Sequence, residues 1–378
     1  MIQINLPFKH PQPTMPDSPL RERLRHLLKG ELDFHGNNNN SPIHTWHAFP
    51  AKFPPQLAST FINELTLPED IVFDPMMGSC TTLVEALSAG RKALGTDIDP
   101  LSIRLARAKL RSADITHAYT SGDEIVQKEQ HHLKYKTEFL KVLLEKRFDP
   151  KTKAFVDYWF APDTQLELTA LIDAIQSVDN KALKPFFTLV FSSIIITKSG
   201  GVSLARDLAH TRPHRVSDKV PKPAVAEFAK RLNKILKKAV FKPQTDSQIL
   251  EADSQTLPLA DNCIDLIVTS PPYASNAIDY MRAHKFSLVW LGYSVTSLSK
   301  LRRKYIGGEA TSGLDLPPLP EYAMLIIDKL AQKDQKKGKV LHRYYTETNR
   351  FLTEIHRVLK PDHAAVVVVG NSIIRDVD

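Results

Sequence analysis

The stretch IVFDPMMGSCTTLVEALSAGRKALGTDIDP, residues 71–100, decides the fold. Ile71–Phe73 is an apolar run as long as a short buried strand. TTLVEALSAG spaces its apolar residues as a helix and closes on Gly90, and KALGTDI returns to the strand pattern. Strand, helix and strand in this order form a β-α-β unit, in which the strands lie parallel and the helix crosses over one face of the sheet. Farther on, CIDLIVT (263–269) and AAVVVVG (364–370) repeat the strand signature, the second of them after the amphipathic segment YYTETNRFLTEIHRVLK. Apolar strands separated by helical stretches predict a parallel sheet covered on both faces: an α/β chain with a Rossmann-like, doubly wound sheet.

Residues 113–247 carry helical spacing, as in LELTALIDAIQSV and PFFTLVFSSIII, without strand alternation, and predict a large, mainly helical insertion. The sheet domain is thereby split into 46–112 and 248–378. Residues 1–45 are rich in Pro, Asn and His, with HGNNNNSP at 35–42, and predict an irregular N-terminal arm. Leu298–Gly338, with Gly307, Gly308, Gly313 and a PPLP turn, predicts a loop or lid.

Of 378 residues, 50 are Lys or Arg and 42 Asp or Glu, a formal net charge of +8 that favours a polyanionic partner. Its location says more than its size. Between Gly200 and Thr245, eleven basic residues face Asp207, Asp218 and Glu227, so this one segment equals the whole chain's excess. Cys80 and Cys263 lack the paired spacing of a metal site or disulfide framework, and no metal is expected. No apolar run is long enough to cross a bilayer, and the N-terminus lacks a secretory core, so the expected location is the cytoplasm.

In a doubly wound sheet, the loop leaving the first strand and entering a helix N-terminus is where a nucleotide-like ligand binds. Here that loop is Asp74, Pro75, Met76, Met77, Gly78, Ser79, Cys80, Thr81 and Thr82, and its small residues let backbone approach a ligand closely. The second strand ends in Asp97-Ile98-Asp99, which places a carboxylate where it can accept hydrogen bonds from both hydroxyls of a ribose. Asp97 is preferred to Asp99. The position suits S-adenosylmethionine.

The second constellation, Ser270-Pro271-Pro272-Tyr273, follows the strand CIDLIVT directly. Two prolines fix the backbone and remove two N–H donors, so the surrounding carbonyls can point into a pocket as acceptors. An exocyclic amine is their complement. Acceptors on its hydrogens draw the nitrogen toward tetrahedral geometry and make its lone pair nucleophilic toward a sulfonium methyl group; the Ser270 hydroxyl and the Pro271 carbonyl are the candidates. Tyr273 offers a flat face for a base taken out of its stack.

DPMMGSCTT resembles the DPFxGSGTT signature of amino-methylating DNA methyltransferases, with Cys80 at a position usually held by glycine. SPPY matches the motif of the site-specific cytosine-N4 members of that family. The resemblance covers about His44–Leu110 and Leu250–Tyr293, and more weakly VLKPDHAAVVVVGNS. It implies a restriction-modification methyltransferase that uses S-adenosylmethionine on double-stranded DNA, beside a cognate restriction endonuclease. It further implies that Lys52, Phe53 and Pro54, within HTWHAFPAKFPPQLA, form a cofactor-pocket wall, and that Asp253 hydrogen-bonds the cofactor's adenine. Asn276, Asp279 and Tyr280 are candidates for the base pocket, and His44 and His47 for packing or nucleic-acid contact.

The long insertion falls between the second and third motifs, which is not the usual family order. Its Arg206, Arg212, Arg215 and Lys219 are expected to clamp the DNA backbone, with the 298–338 loop helping to read sequence. The chain reaches Asp378 soon after its last strand, so either the N-terminal arm or a second chain, for instance in a homodimer, is expected to complete the sheet, or the chain is a shortened form with impaired activity. The chain has no Pro-Cys dipeptide, which disfavours methylation at carbon 5 of cytosine, and no Walker-type loop for phosphoryl transfer. Two other readings stand beside the first: a methyltransferase acting on adenine in DNA or on an RNA base, and a non-catalytic nucleic-acid-binding module on the same fold.

Overall fold

The computed structural model describes residues 19–34, 41–50, 52–111, 115–198, 201–206, 208, 213–238, 245–274 and 280–377. Five parallel strands form one sheet in the order β3-β2-β1-β4-β5, where β1 is Ile71–Asp74, β2 Lys92–Asp97, β3 Ser247–Glu251, β4 Ile264–Thr269 and β5 Leu359–Val367. The chain runs outward from β1 through β2 to β3, then restarts at β4 on the other side of β1. That reversal between β1 and β4 is the switch point beside which such sheets hold ligands at their carboxyl ends. The sequence expectation of a doubly wound α/β sheet is met.

Alternation along each strand divides the core in two. Val72, Ala93, Leu266 and Val268 face one side, covered by α2 (Pro55–Leu65), α3 (Thr81–Ser88) and α4 (Pro100–Lys109). Phe73, Leu94 and Ile267 face the other, where Phe351, Ile355 and Val358 of α14 (Gln335–Val358) pack against them. Burial on both faces explains why the inner strands read as unbroken apolar runs. Gly95 of β2 has no room for a side chain, because a Cβ there would lie 2.6 Å from Leu83 and 2.7 Å from the Met77 sulfur.

Between β2 and β3 the chain forms α4 and then α5 (Ile115–Tyr135), α6 (Thr137–Arg147), α7 (Pro150–Trp159), α8 (Pro162–Gln176), α9 (Leu183–Ile195) and α10 (Ala224–Leu236). The apolar α9 packs on α4, and its Phe187, Val190 and Phe191 belong to the same continuous core as Val72 and Leu83. After β4 come α11 (Tyr280–Leu288), α12 (Val295–Arg302), α13 (Glu321–Lys333) and α14. Among the described residues, no helix is long and apolar enough to cross a membrane.

Three expectations change. The N-terminal arm is not irregular throughout, since Pro19–Lys29 forms a further helix, α1, whose Leu20, Leu24 and Leu27 at helical spacing pack on the core. Residues 1–18 and 35–40 lie outside the described residues. The 298–338 stretch is not one loop: α12 and α13 flank an irregular run at 303–320, and Ile327 and Leu330 of α13 pack on Leu341 of α14 as a helical hairpin. The last strand ends at Val367 rather than Gly370 and begins earlier, at Leu359. It is one edge of the sheet, and α1 lies against it.

Candidate active site

The carboxyl ends of β1, β2 and β4 meet around one cavity of about 870 Å³, its open mouth included. Asp74 ends β1 as a fully buried carboxylate that accepts the Thr269 hydroxyl at 2.7 Å and the Met76 N–H at 3.1 Å, locking the end of β1 to the end of β4. Burial raises Asp74 to about 6, against the opposing pull of those donors.

The following turn is tied to β2 by the Met77 N–H on the Thr96 carbonyl and by the Thr96 hydroxyl on the Pro75 carbonyl. Gly78 and Cys80 both sit in the left-handed region, at φ 44° and 68°. A side chain at Gly78 would crowd the Phe49 ring, whose Cε1 lies 3.3 Å from the Cβ position. Cys80 precedes α3 and shows why glycine suits this position, since a side chain costs energy at that φ. Beneath the turn the buried Lys109 ammonium donates to the Ser79 carbonyl at 2.7 Å. Sequence reading misses Lys109, because a lysine in the last turn of a helix ordinarily faces solvent.

At the end of β2, Asp97 accepts the Gly78 N–H at 2.9 Å and the Asp99 N–H at 2.8 Å. Burial, with the neighbouring Asp99 charge, pushes Asp97 up to about 7. Asp99 is differently engaged: it caps α4 through the Leu101 N–H and also accepts from His284 Nδ1 at 2.7 Å and the Tyr305 hydroxyl at 2.8 Å. Burial alone would raise Asp99, but the His284 ring and these donors more than offset it and hold the carboxyl below its ordinary range.

Of the residues expected around a cofactor, Lys52, Phe53, Asp74, Pro75, Gly78, Ser79, Thr81, Asp97 and Asp253 line the cavity. Pro54 and Thr82 do not: Pro54 lines a neighbouring cleft, and the Thr82 hydroxyl turns inward to the Val268 carbonyl at 2.9 Å and joins α3 to β4. The Lys52 ammonium donates to the His44 carbonyl at 2.6 Å and the His47 carbonyl at 3.3 Å, and burial with the nearby Lys109 brings it down to about 7. Phe49, Ile98, Tyr280 and the run Lys304, Tyr305 and Ile306 complete the wall without having been singled out as cofactor contacts. Phe49 stacks on Tyr280 at 5.7 Å. The Lys304–Ile306 stretch could have been found only from tertiary structure, because it is distant in sequence from every motif.

From β4, Ser270 and Pro272 reach the cavity, Pro271 is buried and Tyr273 half-buried. The hydroxyls of Ser270 and Tyr273 are 3.2 Å apart, the Pro272 carbonyl accepts from the Tyr344 hydroxyl at 2.9 Å, and the Tyr273 ring packs beside Gly370. Tyr273 therefore stands behind Ser270 and is not among the residues lining the cavity. Asn276 and Asp279 lie outside the described residues.

The basic candidates separate. Arg206 and Arg215 are exposed, and the Arg215 guanidinium lies 4.8 Å from the centre of the Tyr158 ring. Lys219 is half-buried and spends its ammonium on the Ser203 and Ala205 carbonyls at 2.7 and 2.6 Å, which makes it a brace of its own loop rather than a free cation for a phosphate. Arg212 lies outside the described residues.

Comparison with known proteins follows the same segments. A family model described as DNA methylase matches residues 28–108. The chain is 26% identical over 375 residues to the type II methyltransferase M.MvaI of Kocuria varians, an alignment covering 91% of this chain and 80% of that protein. It is 24% identical over 350 residues to the type II methyltransferase M.MjaII of Methanocaldococcus jannaschii, covering 70% and 64%. Over a shorter span of 73 residues it is 40% identical to the orphan methyltransferase M.BamHII of Bacillus amyloliquefaciens, covering 19% and 28%. No solved structure matches the chain.

Proposed function

We propose that this chain, similar to DNA methylases over residues 28–108 and to type II methyltransferases over most of its length, transfers a methyl group from S-adenosylmethionine to the 4-amino group of cytosine in double-stranded DNA, as the modifying partner of a restriction endonuclease. The relatives named as type II methyltransferases support the modification role. Ser270, which lines the cavity, supports cytosine over adenine through the serine of its SPPY motif, although that residue alone does not set the choice of base.

The residues present fit S-adenosylmethionine. Asp97 offers carboxylate oxygens at the end of β2, the glycine turn lies beside it, and Ile98, Ile306 and Phe49 supply apolar walls. Asp97 would take the ribose hydroxyls, Asp253 the adenine, and the Gly78–Thr81 turn with Lys52 and Phe53 the amino-acid end. When bound, the cofactor supplies a sulfonium-activated methyl group.

The chain's own part is to hold the amine. The Ser270 hydroxyl oxygen and the Pro271 carbonyl accept its two N–H bonds, which localises the nitrogen lone pair and aims it at the methyl carbon. Tyr273, in contact with Ser270 through its hydroxyl, fixes the orientation of that acceptor. The prolines hold the segment rigid, so the acceptors are in place before the base arrives. After transfer the methylated amine gives up one proton to solvent.

The test is nucleoside mass spectrometry of unmethylated DNA incubated with the protein and labelled S-adenosylmethionine, with Ser270→Ala in parallel. Labelled 4-methylcytosine that disappears in the variant supports the assignment. Labelled 6-methyladenine keeps the mechanism and overturns the base.

A further inference from the structure

A second cleft opens where the His44–Gln56 segment faces α9 and α10. It shares Lys52, Phe53 and Thr81 with the cofactor cavity, so the two spaces adjoin. Its walls carry Lys52, Lys198, Lys230, Arg231 and Lys234 against one acidic side chain, Glu227, among the described residues.

The folding of α10 explains this arrangement. Phe228, Leu232, Ile235 and Leu236 are buried on one face of the helix, which leaves Lys230 and Lys234, one turn apart, exposed on the opposite face. Arg231 lies between these faces and is committed to structure. It donates to the Thr45 carbonyl at 2.7 Å and the Ser193 hydroxyl at 3.2 Å, stitching the segment before α2 to α9 and setting the width of the cleft. The start of α2 also lines it, at Pro55 and Gln56, with no acidic residue in the first turn.

We propose that this cleft grips the phosphodiester backbone of DNA beside the nucleotide being modified, with Lys230 and Lys234 as the principal phosphate contacts. The proposal rests on the reading of DNA as the substrate. An enzyme that turns one nucleotide out of a duplex must hold the neighbouring backbone still, and phosphate contacts supply that register without reading sequence. A cationic groove adjoining the catalytic cavity is placed to do so. It takes over part of the task expected of Lys219, whose ammonium is already used.

The test measures binding of an unmodified duplex by the full chain across a salt series, comparing wild type with Lys230→Gln/Lys234→Gln. Both lysines are exposed, so the variant should match wild type in melting temperature and S-adenosylmethionine affinity. Losing two phosphate contacts should weaken duplex binding about tenfold near physiological salt and reduce the slope of log affinity against log salt by about 1.8. A control, Lys29→Gln/Lys339→Gln, removes one exposed lysine from each of α1 and α14 and should change neither quantity. Wild-type affinity and slope in the Lys230/Lys234 variant, or an equal loss in the control, would overturn the cleft while leaving DNA methylation intact. Failure of the wild type to bind or methylate any duplex would overturn both readings.

Discussion

At Asp97 the proposed ribose contact makes one carboxyl couple cofactor binding to pH. Burial raises it from an ordinary 3.8 to about 7 in the folded chain. Its contribution to folding is therefore fully present below the unfolded value and is lost as pH rises through 7. Cofactor binding runs the other way, because ribose hydroxyls donate to the ionised form. Calorimetric titration should find S-adenosylmethionine bound about tenfold more weakly at pH 6 than at pH 8, and Asp97→Asn should weaken binding throughout and flatten the profile. A steep profile in that variant would assign the titration elsewhere. Ser270 is the complementary case. Removing one acceptor aimed at the reacting amine should cost methyl transfer roughly 100-fold, with S-adenosylmethionine affinity unchanged; a parallel loss of cofactor binding would make Ser270 a structural residue. The two cysteines differ by burial. Cys80 is fully enclosed and its thiol is pushed up to about 12, whereas Cys263 is partly exposed. A thiol reagent at pH 8 should titrate one sulfur in the native protein and two in denaturant.

The elements around the site differ in how openly the sequence declares them. β1, α3, β2 and β4 combine strong periodicity with motifs, and their positions at the switch point follow from chain order. β3 escapes because Ser247–Glu251 is an edge strand with partly exposed faces, so its alternation is weak. The glycines and prolines of 298–338 conceal two helices. Within that stretch, residues 303–310 look like a mobile lid in sequence but are anchored by α14. Arg343 donates to the carbonyls of Arg303, Tyr305, Gly308 and Ala310 and pairs with Glu347 at 2.8 Å, while Glu347 accepts the Gly307 N–H. This buried pair sets Lys304, Tyr305 and Ile306 in the cavity wall. No sequence motif announces it, because its partners are mostly backbone carbonyls. Arg343→Met leaves Glu347 buried without its cation, and should destabilise the fold by about 3 kcal/mol in urea titration and weaken S-adenosylmethionine binding. A variant as stable as wild type would mean that the segment holds its own shape.

Across the whole molecule, the insertion is a domain in sequence but not in packing. Its helices α8, α9 and α10 contribute Leu168, Phe187, Val190 and Leu232 to the one apolar cluster that also contains Val72, Leu83 and Leu266 beneath the sheet. A module added for nucleic-acid contact alone would need only its own small core and a short tether. Here α9 lies directly on α4, whose first turn is capped by Asp99 and whose last turn delivers Lys109 to the Ser79 carbonyl. The insertion thus supports the floor of the cavity as well as one wall of the basic cleft, and its helices share their apolar cluster with the sheet instead of forming a core of their own. Unfolding should therefore be a single transition. Tryptophan fluorescence, from Trp46, Trp159 and Trp290, should follow the surroundings of the segment before α2, of α7 and of α11, and far-UV circular dichroism the whole helix content; both should share one midpoint in urea. Two separated midpoints would show instead that the insertion melts on its own, and would return it to the status of an appended domain.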